Sequence, residues 1–549
     1  MKILFAASEM TPYAKTGGLG DVVGALAGVL QKSGHEVTCC IPYYRQARLY
    51  IEKEKAARSE STPYQRQDTA RPVPKAFGTP YQRPADEAKP IGLTLTVPLG
   101  SRTVTGDVLE WTQRDGVRVL FIRRDEFFDR SELYHTGVRD YEDNAERFLF
   151  FSKAVVQLIG YTRFHADIVH CHDWQAAFVP VQMMHRQQQR QHPPLSSPPQ
   201  EGTEAKTMLT IHNIAYQGMF WSLDFPLTNL PGEFFTPETL EFYEQMNLLK
   251  GGIVFADAIT TVSKTYADEI QTPEGGFGLD TVLGTRTDDL HGIVNGVDYS
   301  VWNPETDPHL KQHYNMDDLS GKNACRGDLL EKFRLGNDGG QSAFAEASAD
   351  RGGRPTRAAE RQPVAAFVSR LTEQKGVVVL AEAIEDLVKS GLTIVILGKG
   401  EREYEEILLE AAERFPRQVA VKIAHDEVLA HQILGGADIL LMPSHFEPCG
   451  LTQLYALKYG TIPVVHATGG LVDTVENYNP RTGEGTGFKF ASYTATALVD
   501  AAQRAILLHK QPKKWQKLMR QAMARDFSWQ ASAKEYEKLY AALLRGAAA

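Results

Sequence analysis

The sequence predicts an α/β protein of two Rossmann-like domains facing a central interdomain cleft, and three observations predict it. The chain has 549 residues, well past the roughly 250–300 at which a single core stops growing, so two large domains are expected. Short apolar runs rich in Val and Ile alternate with amphipathic stretches along its length, the pattern of parallel sheets buried on both faces. Two glycine-bearing segments far apart in the chain, KTGGLGDVVGAL from Lys15 and SRLTEQKG from Ser369, each follow a strand candidate and each read as a strand-to-loop-to-helix turn.

Taken in order, the strand candidates are KILFAAS, HEVTCCIP, VRVLFIR, ADIVHCH, KTMLTIHN, ADAITTVS and HGIVNG for the first domain, then PVAAFVSR, LTIVILG, ADILLMPS and TIPVVHA for the second. The expected boundaries are 1–295 for the first domain, 296–525 for the second, and 526–549 for a C-terminal helix packing back on the first; NGVDYSVWNP (Asn295 to Pro304) reads as a hinge. Three segments break the alternation: residues 56–90, with TPYQR repeated at Thr62 and Thr79; residues 187–206, rich in Gln and Pro; and residues 337–362, poor in large apolar side chains. Their composition gives too little apolar area to offset chain entropy, so they read as surface loops or disorder. Trp515, Leu518, Met519 and Met523 fall at helical spacing, as do Trp529, Tyr536, Leu539, Tyr540 and Leu543, which predicts packing helices near the C-terminus.

Composition narrows the function. The net charge of −9 is spread out with no long basic run, so nucleic acid is not an expected partner. The five cysteines show neither C-x-x-C spacing nor the density of a disulfide scaffold, which fits a reduced, cytoplasmic setting. The N-terminal run lacks the long apolar core of a signal peptide, and no stretch approaches 18 uninterrupted apolar residues, so no membrane partner is expected.

The candidate chemistry lies at strand ends. Glycines let backbone approach a phosphorylated ligand, a helix start adds free N–H groups, and Lys15, Arg370 and Lys375 add full positive charge. GGLGDVVG alone also resembles a loose dinucleotide fingerprint, which keeps an oxidoreductase or epimerase open, or a tight turn that serves only packing. VHCHDWQA puts His170, His172 and Asp173 at the end of a buried strand, where an imidazole can bond a sugar hydroxyl; a metal site is the rival for the two histidines, without a ligand set at the usual spacing. TIHNIAYQG repeats the theme with His212 and Asn213. In SHFEPCGLTQLYALKYGTIPVVHATGGL, Glu447 stands in a Pro/Gly-framed loop before a helix, where it points at sugar hydroxyls or a developing positive charge, or simply caps the helix.

With these motifs in family order, the chain resembles bacterial glycogen synthases and plant starch synthases, retaining glucosyltransferases of the GT-B fold. KTGGLGDV, HDW, TIHN, NGVD, SRLTEQKG, FEPCGL and YGTIPVV carry the resemblance from Met1 to about residue 540. It implies transfer of glucose from ADP-glucose to the non-reducing end of an α-1,4-glucan such as glycogen, with no cofactor and no metal; UDP-glucose is the alternative donor. Carried over by position, Lys15, Gly18 and Asp21 would border the donor phosphates, and Arg370 and Lys375 would clamp the diphosphate. Glu447 would bind the donor glucose with Cys449, Gly450, Leu451 and Thr452 around it. His172 and Asn213 would face the glucose or acceptor, and Asn247 and Lys250 match a segment near the acceptor. Glu447, Lys375, Arg370 and His172 are thereby the expected catalytic group. The chain departs from the family at His425, where a tyrosine usually meets the nucleobase, at His445 and His466, which replace arginines, and at FDRSELYHT from Phe128. A glycan-binding protein with a dead site is the remaining alternative, opposed by the joint presence of Lys15, Arg370, Lys375 and Glu447.

Overall fold

The structure, a computed structural model, describes residues 1–60, 88–137, 139–161, 165–191, 205–335 and 362–546. The chain divides into two compact units, each discontinuous in sequence: Met1–Thr261, Glu269–His291 and Ala533–Ala549 form the first, Val262–Asp268 and Gly292–Ser532 the second.

The first unit is built on β1 (Lys2–Ala6), β2 (Glu36–Pro42), β3 (Lys89–Leu99), β4 (Arg102–Thr112), β5 (Arg118–Arg123), β6 (Ile168–His172) and β7 (Lys206–Ile211). A small sheet of β8 (Met219–Trp221), β9 (Glu241–Phe242) and β10 (Gln245–Asn247) follows, then β11 (Ala258–Thr261) and β12 (Leu290–Gly292). The main sheet runs β12-β11-β7-β6-β1-β2-β5-β4-β3. It is parallel from β11 through β5 and antiparallel at the β5-β4-β3 edge. Val, Ile and Leu dominate the parallel strands because helices cover both faces: β6 is wholly buried, and only Lys2 of β1 is exposed. The β3-β4 hairpin is a different object. The C-terminal half of β3 alternates buried and exposed positions, so one face meets water.

The second unit carries β13 (Val364–Val368), β14 (Thr393–Gly398), β15 (Val419–Ile423), β16 (Ile439–Met442), β17 (Ile462–His466) and β18 (Phe488–Phe490). Every neighbouring pair is parallel, in the order β15-β14-β13-β16-β17-β18. Period-2 alternation sends Ala365, Phe367, Ile394 and Ile396 into one core layer with helices Val377–Lys389 and Ala495–His509. Val364, Ala366, Val395 and Leu397 enter the other, with helix Glu427–Gly436.

In both sheets the order reverses beside the first strand: β1 lies between β2 and β6, and β13 between β14 and β16. Loops at the carboxyl ends of strands on either side of such a switch point diverge, which opens a crevice there. The last helix, Trp529–Leu544, contributes Ser532 to the second unit through a 2.7 Å bond to the Val294 carbonyl. Tyr540, farther along it, is 2.8 Å from His170 in the first unit.

Helix Arg45–Glu60 continues five residues into the segment read as loop from residue 56, and helix Phe178–Gln191 likewise runs past residue 187. Both extensions consist of good helix formers, which composition-based reading discounts. At their C-terminal ends the first two low-complexity segments also give way to strand, with Lys89 and Pro90 opening β3 and Lys206 opening β7, while residues 61–87, 192–204 and 337–361 lie outside the described residues.

Candidate active site

The switch point of the second unit gathers Arg370, Lys375 and Glu447. Arg370 and Lys375 follow β13, and Glu447 follows β16; with Ser444, Gly450, Leu451 and Thr452 they line a cavity of about 140 Å³. Lys375 Nζ lies 2.7 and 2.6 Å from Glu447 Oε1 and Oε2, and Ser444 Oγ donates to Oε2 at 2.9 Å. The pair is largely withdrawn from water, with 16% of the lysine and 6% of the glutamate side chain exposed. Such charge-assisted bonds offset the desolvation of both ions. Arg370 is exposed at the cavity mouth.

Backbone geometry holds this pair in register. Gly376 has φ +72°, and a Cβ there would sit 1.9 Å from the Pro443 carbonyl, so the loops after β13 and β16 touch backbone to backbone. His445 N donates to Gln374 O at 2.8 Å, and Gln374 Nε2 donates to Phe446 O at 3.2 Å. Gly470 N donates to Glu447 O at 3.0 Å, and its absent side chain leaves room for the Cys449 carbonyl. Buried Gln453 fastens the same loop to the Cys449 carbonyl at 2.8 Å. Cys449 is a buried thiol, pushed up to about 12 by burial. His425 stands apart: it is exposed two residues beyond β15, the edge strand two places from β13.

In the first unit the loop after β1 is folded by a residue the sequence reading passed over. Buried Glu9 accepts from Thr16 N at 2.6 Å, Thr16 Oγ1 at 2.7 Å and Tyr134 OH at 2.7 Å. This turns the Lys15-to-Gly18 segment onto helix Gly18–Lys32. Lys15 pairs with Asp21 at 2.7 Å while remaining 42% exposed, and Asp21 also accepts from Thr11 Oγ1 at 3.0 Å.

At the end of β6, His172 Nδ1 lies 3.0 Å from His212 Nε2, while its own Nε2 is buried without a partner. Burial holds the His172 imidazole well below its usual range, with His170 and His212 adding to the shift; His170 and His212 are each lowered to about 3, chiefly by burial. The three rings are therefore neutral, suited to hydrogen bonding rather than to charge. Asp173 is pushed up to about 7 by burial, and one of its oxygens accepts from His212 N at 2.7 Å. Asn213 accepts from Ala215 N at 3.0 Å. Asn247 and Lys250 spend their polar groups on the protein: Asn247 caps helix Leu248–Phe255 through Lys250 N and donates to Gln217, and Lys250 Nζ is held by the Pro237 and Glu241 carbonyls. Among the described residues no group of three or more His, Cys, Asp or Glu could hold a metal ion, and no helix is long and apolar enough to cross a membrane. All five cysteines are free and buried.

Two Rossmann-like units, one with a cation–carboxylate cluster at its switch point, are the parts of a GT-B fold. A family model for the starch synthase catalytic domain matches residues 2–285, and one for glycosyl transferases group 1 matches residues 353–522. The chain is 40% identical over 543 residues to a glycogen synthase of Koribacter versatilis, covering 98% of each chain. It is 41% identical over 540 residues to a glycogen synthase of Opitutus terrae, covering 98% of this chain and 99% of that one. The catalytic domain of starch synthase IV from Arabidopsis thaliana, solved bound to ADP and acarbose, matches with a TM-score of 0.77 and 30% identity over 99% of both chains. The chain belongs to the glycogen synthase and starch synthase family of glucosyltransferases.

Proposed function

We propose that this enzyme transfers glucose from ADP-glucose to the 4-hydroxyl at the non-reducing end of an α-1,4-glucan, glycogen, with retention at C1. The observation that carries the reading is the Lys375–Glu447 pair at the β13/β16 switch point, with Arg370 beside it. ADP in the starch synthase IV structure and the names of the bacterial relatives support the donor and the acceptor.

The reaction separates a nucleoside diphosphate from C1 through an oxocarbenium-like transition state, so negative charge grows on the leaving group. Arg370 and Lys375 meet that charge, as oriented cations in a site that needs no reorganisation when charge develops. An ammonium has three donors, and Glu447 takes two from Lys375, which leaves one for a phosphate oxygen. Glu447, fixed by Lys375 and Ser444, binds the donor glucose, with Cys449, Gly450, Leu451 and Thr452 forming the wall around it. Lys15, Gly18 and Asp21 serve the phosphate end of the donor. Neutral His172 and Asn213 bond sugar hydroxyls, and Asn247 and Lys250 shape the acceptor side through the backbone they fix. Retention follows a same-face route in which the leaving phosphate assists deprotonation of the acceptor.

The test is turnover with ADP-glucose and UDP-glucose on glycogen, with and without a chelator, and with the anomeric product identified. A higher kcat/KM for ADP-glucose, unchanged by chelator, is expected. Preference for UDP-glucose overturns the donor assignment, and absence of transfer from either overturns the function.

A further inference from the structure

His466, the last residue of β17, makes no contact with the cavity, yet it stands behind the group that does. Its Nδ1 lies 2.8 Å from the Ser444 carbonyl and its Nε2 3.3 Å from the Ala491 carbonyl, with 9% of the residue exposed. Carbonyl oxygens only accept, so both bonds exist together only when both ring nitrogens carry protons. Either neutral tautomer turns a lone pair toward one of the carbonyls. At Ser444 that loosens the residue whose hydroxyl holds Glu447 at 2.9 Å; at Ala491 it loosens the strand of chain leading to Tyr493, which stacks on His445 at 4.6 Å beside Ser444.

We infer that His466 is a positioning residue whose doubly protonated ring holds Ser444, and through it the Glu447–Lys375 pair, in working geometry. The inference rests on the reading of Glu447 as part of the donor site. The groups facing the ring are the Phe490 and Tyr493 rings at 5.5 and 5.4 Å. Farther charged or titratable groups are His445 across Tyr493, Lys489 on β18 with its ammonium on the Val472 carbonyl, and the mutually neutralised Glu447 and Lys375. None of these places a carboxylate against the imidazole. The proton on each nitrogen therefore has a carbonyl as its partner.

The experiment joins kinetics to a direct view of the ring. Protein labelled with nitrogen-15 histidine, with His466 assigned by comparison with His466→Gln, is followed by two-bond nitrogen–proton spectra from about pH 5 to 9, alongside kcat and the KM for glycogen. The expected result is a doubly protonated His466 where kcat is highest and a roughly tenfold fall in kcat as that ring deprotonates, with the KM for glycogen unchanged. His466→Arg, which cannot deprotonate in this range, removes that limb of the profile. His466→Gln lowers kcat about tenfold without a limb of its own. A neutral ring at the activity maximum, a limb that persists in His466→Arg, or a His466→Gln enzyme equal to the wild type would each overturn the inference. Failure of the wild type to transfer glucose would instead strike the proposed function, and the spectra alone would then decide the protonation of the ring.

Discussion

Replacing Lys375 with Ala separates stability from catalysis in a way the geometry makes specific. The substitution removes both bonds that the ammonium makes to Glu447 and leaves a carboxylate, 6% exposed, with the Ser444 hydroxyl as its one remaining hydrogen-bond donor among the described residues. Breaking one side of a buried pair costs about 3–5 kcal/mol, so the urea midpoint should fall clearly. Loss of one cation from the developing charge of the leaving diphosphate should cost about 10²–10³ in kcat, or about 2.7–4 kcal/mol. Adding Glu447→Gln to Lys375→Ala removes the stranded charge and should return much of the stability while activity stays low. Lys375→Arg should restore little, since a planar guanidinium does not replace a compact ammonium in this space. The assay is nucleoside diphosphate release with glycogen present, in variants shown by urea unfolding to be folded at the assay temperature. If Lys375→Ala changes kcat less than about threefold, roughly 0.6 kcal/mol, the lysine is a structural partner of Glu447 and the catalytic reasoning fails.

Gly376→Ala should lower stability by more than the roughly 1–2 kcal/mol that positive φ alone costs, because its Cβ meets Pro443 O at 1.9 Å, and activity should fall with it; an unchanged urea midpoint would show that the two loops can part. His170 is held at about 3 while an unfolded histidine titrates near 6.5, so below about pH 6.5 the unfolded chain binds a proton that the folded one refuses, and stability is lost as pH falls through that window. Urea midpoints at pH 7 and 5 should therefore differ more in the wild type than in His170→Gln, and equal slopes would refute the assignment. His425→Tyr should lower the KM for ADP-glucose with kcat unchanged, and a change confined to kcat would remove His425 from the nucleobase.

Much of this architecture is legible because parallel strands buried on both faces must be runs of Val, Ile and Leu, and LTIVILG and ADILLMPS say so without alignment. The β3-β4 hairpin escaped that test because its positions alternate; LTLTVPL carries a period-2 signal that a search for continuous apolar runs overlooks. QVAVKI and FKF carry a weak signal for a related reason: β15 and β18 are the edges of their sheet, where fewer side chains need be apolar. At the site, the loops bearing Arg370, Lys375 and Glu447 were visible as glycine-marked turns after strands. Their meeting was not, since Lys375 and Glu447 are 72 residues apart and touch only because β16 pairs with β13, a sheet order that strand patterns do not encode. Glu9 was hidden differently: a glutamate just past a strand looks like a surface residue until Thr16 and Tyr134 are seen to surround it.

The tie between Tyr540 and His170 has a consequence for how the chain is made. The first unit includes Met1, but it is finished by residues from Ala533 onward, which leave the ribosome after the whole of the second unit. Until they emerge, the pocket that receives Tyr536 and Tyr540 has no lid, and the nitrogen of His170 that meets the Tyr540 hydroxyl has no partner. Domains usually complete themselves in the order of synthesis. Here the unit translated first must wait for residues that follow the whole of the second, so a nascent chain stalled after residue 291 would expose apolar surface for as long as it stalled, and the second unit would be whole before the first.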